Sequence, residues 1–124
     1  MPQGALFIGW GRAVRGREQQ ALQVFQEALQ YYERLKQSGQ VESFEPVALE
    51  PHGGDLEGFL LIKGDAARLA QLRVDEEFIR LNTRAQLVVD NFGVTGGFIG
   101  EQMQRLFNDF GQQASQLAQP GSRA

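Results

Sequence analysis

Few side chains in this 124-residue sequence are equipped for chemistry, and their types limit what that chemistry is. His52 is the only histidine, hence the only side chain that ordinarily gains and loses a proton near neutral pH. It is one weak candidate for catalysis, as a general acid or base in the glycine-rich loop 51–55, and the Tyr32 phenol is the other. Trp10, Tyr32 and Asn82 join bulk to an N–H, O–H or amide group that needs a partner when buried, and Tyr31 and Phe59 add aromatic surface. Arg12, two residues after Trp10, supplies a cation that can hold a carboxylate. Trp10, Arg12, Tyr32, Phe59 and Asn82 are therefore the candidate substrate-binding residues, and an apolar wall beside a cationic rim fits a small organic acid.

Other chemistries lack their residues. Gly9, Gly11 and Gly16 follow an apolar run, but Val14 stands where a dinucleotide fingerprint needs its third glycine. Arg17-Glu18 stands where a phosphate loop needs Lys and Ser or Thr, which leaves Arg12, Arg15 and Arg17 as an anion-binding cluster at a helix start. No serine lies in a nucleophile-elbow context. Zero cysteines exclude a thiol nucleophile, disulfides and thiolate-bound metals. The acidic run Asp75-Glu76-Glu77 reads as a helix cap, because consecutive helical residues diverge by about 100° and cannot converge on one ion. No metal and no cofactor is expected. A net charge of −3 and pI near 5.1 argue against nucleic acid as a partner. No apolar run approaches the roughly 20 residues of a membrane span, and no secretion signal opens the chain, so a cytoplasmic protein is expected.

These residues must be positioned by an ordered set of elements. Residues 5–14, ALFIGWGRAV, read as a strand apolar on both sides: Leu6, Ile8, Trp10 and Val14 on one, Ala5, Phe7, Gly9 and Ala13 on the other. Ala21, Phe25, Ala28, Tyr32 and Leu35 mark an amphipathic helix over residues 17–37, stopped at Ser38-Gly39. Residues 41–50 form a second strand, which Pro46 assigns to a sheet edge. A third, residues 56–63, is apolar on both faces and so central. A helical region containing Leu69 and Leu72 follows, breaks near Arg73 and restarts at Asp75. The glycine-rich residues 91–99 form the last strand, and Met103, Leu106, Phe107, Phe110, Ala114 and Leu117 stripe a C-terminal helix.

The order βαββαβ plus a helix is the ferredoxin-like α+β pattern, with antiparallel strand order 4-1-3-2 and helices on one face. Its uncovered apolar face calls for another sheet, most simply that of a second copy across a twofold axis. One domain over residues 1–118, with a disordered tail at 119–124, is expected.

The helix start GREQQAL, the strand end LIKGD, the break before DEEF and the glycine-rich last strand resemble the dimeric α+β barrel superfamily, over residues 5–99. That superfamily includes antibiotic-biosynthesis monooxygenase-like proteins. The resemblance implies a homodimer formed by two sheets packed face to face, with an organic substrate held between sheet and helices. In monooxygenase-like members an aromatic pocket containing Trp and Tyr holds a planar substrate without metal or flavin. Haem-degrading members use a histidine on the second helix and an asparagine on the first strand; residues 65–90 have no histidine and residues 5–14 no asparagine. The expectation is a homodimeric small-molecule-binding domain, in its sharpest form a cofactor-independent monooxygenase or isomerase acting on a small anionic substrate. The alternative is a non-catalytic ligand-sensing or assembly module.

Overall fold

The computed structural model describes residues 2–118. Its elements are β1 (Gln3–Trp10), α1 (Glu18–Gln37), β2 (Ser43–Ala48), β3 (Gly58–Asp65), α2 (Ala66–Leu72), α3 (Glu76–Gln86), β4 (Gly93–Phe98) and α4 (Gly100–Ala118). The four strands pair antiparallel in the order β2-β3-β1-β4, which is the expected 4-1-3-2 read from the other edge. The ferredoxin-like layout is therefore the observed one. The tail at 119–124 lies outside the described residues.

β1 and β3 are central because their side chains leave no face for water. Leu6 pairs with Ile62 and Ile8 with Leu60, and all four enter one core with Val24, Tyr32, Leu69 and Phe78 from the helices. The odd residues of the same strands turn the other way. There the Phe7 and Phe59 rings stack, with centroids 5.1 Å apart, and remain only half-buried beside Leu61 and Val47. β2 lies at the edge, as Pro46 requires.

Two departures from the sequence reading have local causes. β1 ends at Trp10, and beyond it the chain stays attached to the segment before β4 by Gly11 N–H donating to Asp90 O (2.7 Å) and Asp90 N–H to Arg12 O (2.8 Å). This close approach needs a glycine: a Cβ on Gly11 would stand 2.7 Å from Asp90 O and 3.0 Å from Asp55 O. Leu56, expected on the Leu60 side of its strand, precedes β3 and escapes its alternation. Its Cδ1 lies over Gly9, on the Phe7 side of the sheet.

The helix ends follow their signals. Gly39 adopts φ +82° after α1, where a side chain would be strained, and Asp65 caps α2 through Arg68 N–H. The expected break falls between Leu72 and Glu76, where Asp75 Oδ2 accepts the N–H groups of Glu77 (3.2 Å) and Phe78 (3.3 Å). The same oxygen accepts the Tyr31 hydroxyl at 3.3 Å, tying α1 to the start of α3. Two exposed ion pairs, Arg34–Glu77 and Arg84–Glu27, join the same helices; pairs of this kind contribute about 0–1 kcal/mol each.

α4 differs from the other helices. It meets the sheet near β1 and β4, yet none of its residues is buried, and Phe110 is 75% exposed. No helix among the described residues is long and apolar enough to cross a membrane.

Asp75 satisfies two backbone donors and a phenol with one carboxylate, so Asp75→Ala should lower unfolding free energy by about 1–2 kcal/mol in urea denaturation. Asp75→Asn should recover part of that loss. An unchanged midpoint for Asp75→Ala would show that the cap contributes nothing.

Candidate functional site

The two halves of α1 pack differently, and a cavity results. Tyr31, Tyr32 and Leu35 in its C-terminal half are buried, whereas in its N-terminal half Leu22 is exposed and Ala21 and Phe25 are only partly covered. Small residues face the sheet there: Ala21 and Ala28 on α1, and Ala85 on α3. They leave a space of about 510 Å³ between α1, α3 and the ends of β1 and β3, within the usual size of small-ligand sites.

Its floor is Ile8, Trp10 and Leu60, and its roof is α1, with Leu81 and Asn82 of α3 on the third side. The Trp10 indole lies flat across Gly58, where a Cβ would stand 2.6 Å from the ring's Cζ2, and meets the Phe25 ring edge to face at 5.5 Å between centroids. Gly58 thus sets the indole's orientation by having no side chain. Tyr32, 1% exposed, touches the Tyr31 and Phe44 rings at 5.1 and 6.1 Å. Burial, and then the neighbouring Tyr31, pushes its phenol pKa well above the ordinary value, so it remains a neutral O–H donor. Tyr31 is raised too, first by burial and then by Asp75.

Three polar side chains therefore line this cavity from three sides: Trp10, Tyr32 and Asn82. None makes a side-chain hydrogen bond among the described residues, although the Trp10 carbonyl accepts Glu57 N–H at 2.8 Å. Their polar atoms are not sealed from solvent, since among the described residues the buried side-chain polar atom without a partner is Asp65 Oδ1, so the indole N–H, the phenol and the amide are accessible to a bound molecule's polar atoms. The ionisable side chains lining the rim are both acidic, Glu18 and Glu57.

The remaining sequence candidates lie elsewhere. Arg12 is exposed and outside the lining, because the chain leaves the strand after Trp10. Arg17 donates to Leu87 O at 2.7 Å, at the C-terminal cap of α3, so of the three clustered arginines one serves as a helix clamp. Phe59 stacks on Phe7 across the sheet from the cavity. His52 holds its own loop: Nδ1 accepts Gly54 N–H at 3.2 Å, which makes Nε2 the protonated nitrogen, donating to Leu56 O at 2.6 Å. Sequence reading missed Phe25, Glu18 and Glu57. Phe25 and Glu18 lie at helical spacing from Tyr32 and were legible as one α1 face; Glu57 was not, because its position follows from where β3 begins.

The sequence matches no family model and no curated protein. Solved structures do match. One is a dimeric protein of unknown function with a ferredoxin-like fold from Bacteroides fragilis NCTC 9343, at TM-score 0.59 and 8% identity over 78% of this chain and 96% of that one. A second, a dimeric ferredoxin-like protein of unknown function from Jannaschia sp. CCS1, gives TM-score 0.62 and 14% identity, covering 78% and 99%. A third is SnoaB, a cofactor-independent oxygenase from Streptomyces nogalater, at TM-score 0.55 and 11% identity, covering 81% and 95%. At these identities the likeness is one of fold, and the fold it shows for this chain is ferredoxin-like.

Proposed function

We propose that this protein is a homodimer that binds a small, largely apolar, neutral molecule with a hydrogen-bond acceptor, in the cavity beneath α1. The observation that carries the reading is the set of unpartnered donors, Trp10, Tyr32 and Asn82, around an otherwise apolar cavity. A planar body fits beside the Trp10 and Phe25 rings, and a carbonyl fits the phenol and amide. The acidic rim replaces the organic acid expected from sequence with a neutral ligand, since Glu18 and Glu57 repel a carboxylate and no Arg, Lys or His lines the space.

Two observations support the second copy as partner. Phe7, Phe59, Leu61 and Val47 leave an aromatic and aliphatic sheet face half-buried, and two structural neighbours are described as dimeric. SnoaB's description as a cofactor-independent oxygenase supports a second reading, in which the cavity holds an oxidisable substrate of the same kind. Oxygen consumption in the presence of a bound ligand distinguishes that reading from binding alone.

Trp10 is the only tryptophan, so ligand entry should change the protein's indole fluorescence in a saturable way. A panel of planar neutral carbonyl compounds tests this, with aromatic carboxylates of equal size as weaker ligands. No response at millimolar concentration, or stronger binding by the acids, would overturn the assignment. Tyr32→Phe removes a hydroxyl that has no partner among the described residues, so unliganded stability should stay within about 0.5 kcal/mol of the parent or rise, while affinity falls about 2- to 10-fold. A large loss of stability with unchanged affinity would make Tyr32 a packing residue only. Light scattering should give twice 13.8 kDa, and Phe7→Asp should yield monomer or aggregate; a parent chain that is monomeric at micromolar concentration refutes the dimer.

A further inference from the structure

α4 carries an apolar stripe none of whose residues is buried. Along its 19 residues Met103, Phe107, Phe110, Ala114 and Leu117 recur at alternating steps of four and three, the spacing of a helix-to-helix seam, with Leu106 beside it. All are exposed within the chain. A stripe of this regularity costs solubility unless another surface covers it.

The positions flanking the seam indicate the kind of surface. Gln104, Leu106, Gly111, Gln113 and Ala118 border it and are all uncharged, while the helix's charged residues, Glu101, Arg105 and Asp109, fall on the outer positions. A membrane surface is disfavoured, because helices that lie on anionic lipid flank their apolar face with Lys and Arg. A partner chosen by charge is disfavoured too, since the flanks carry no charges to read. Pairing with an identical helix, by contrast, meets no like-charge repulsion.

Side-chain size then fixes the direction. Parallel pairing would set each seam residue against itself, giving Ala114 on Ala114 with a void and Met103 on Met103 with crowding. Antiparallel pairing sets Met103 against Ala114, a large side chain over a small one, and Phe107 against Phe110; Gly100, at φ +58°, precedes the helical seam.

We propose that α4 is a self-association helix that pairs antiparallel with α4 of a second copy, around a twofold axis passing near residues 107–110. This contact is independent of the sheet-face dimer proposed above and can hold when that one fails.

The absence of cysteine makes the test direct. Met103→Cys and Ala114→Cys are prepared as separate full-length proteins, each checked for parental circular dichroism, then treated with a short bismaleimide alone and as a mixture. The mixture should form covalent dimer at least 10-fold faster than either variant alone, because residue 103 of one copy faces residue 114 of the other. Cross-linking of each variant with itself as fast as in the mixture would establish parallel pairing and overturn the proposal. So would a mixture that does not cross-link while both variants are folded. Repeating the mixture on a Phe7→Asp background should preserve the cross-link, separating this contact from the sheet face.

Discussion

The structure depends on a strand pair that is apolar on both of its faces while the chain supplies helices for one. β1 and β3 present Leu6, Ile8, Leu60 and Ile62 to the helices and Phe7, Phe59 and Leu61 to the opposite side. Each buried side chain of this size contributes roughly 1.5–3 kcal/mol, so a core assembled on the helical side can hold the monomer together. The same estimate, applied to the half-buried side, measures what a second layer would add. The fold and its open apolar face are thus two consequences of one alternation, set by residues next to each other in sequence.

The cavity follows from a second constraint, the mismatch between helix and sheet at one end of the molecule. α1 is pinned at its C-terminal half by Tyr31, Tyr32 and Leu35 and by the bonds to α3, while Ala28 and Ala21 leave space between it and the sheet. Space opens where the helix has alanine and the sheet has Gly58 with the Trp10 ring laid across it. A core optimised for stability alone would fill such a space with larger side chains, and would not turn an indole, a phenol and an amide toward it without partners.

Much of this was legible in the sequence, and the rest was hidden for physical reasons. Alternation within β1 and β3, Pro46 at an edge, and Asp75 as a cap each report a local requirement, so strand order and helix breaks could be read from single residues. Trp10, Tyr32 and Asn82 were recognised by type and do line one cavity. Arg12 and Phe59 were grouped with them because strand alternation was carried past Trp10 and because the sheet face used by β3 was open. The structure ends β1 at Trp10 and turns Phe59 toward Phe7. Both outcomes depend on contacts distant in sequence: Asp90 and Asp55 closing on Gly11, and the pairing of Gly9 with Phe59.

The cavity and the open sheet face lie back to back on one strand, which couples them mechanically. Ile8 and Trp10 form the cavity floor, while Phe7, between Leu6 and Ile8, points into the opposite layer. A sheet strand cannot shift one face without the other, because its pleat fixes successive side chains relative to a shared backbone. Gly9, between Phe7 and Trp10, has Leu56 Cδ1 and Phe7 Cε1 over its Cα, so its neighbourhood on the open face is already filled. A displacement of Trp10 would therefore reach Gly9 and Phe7 through one backbone segment. The strand that organises the fold is also the shortest physical route between the cavity and the surface a second copy would cover.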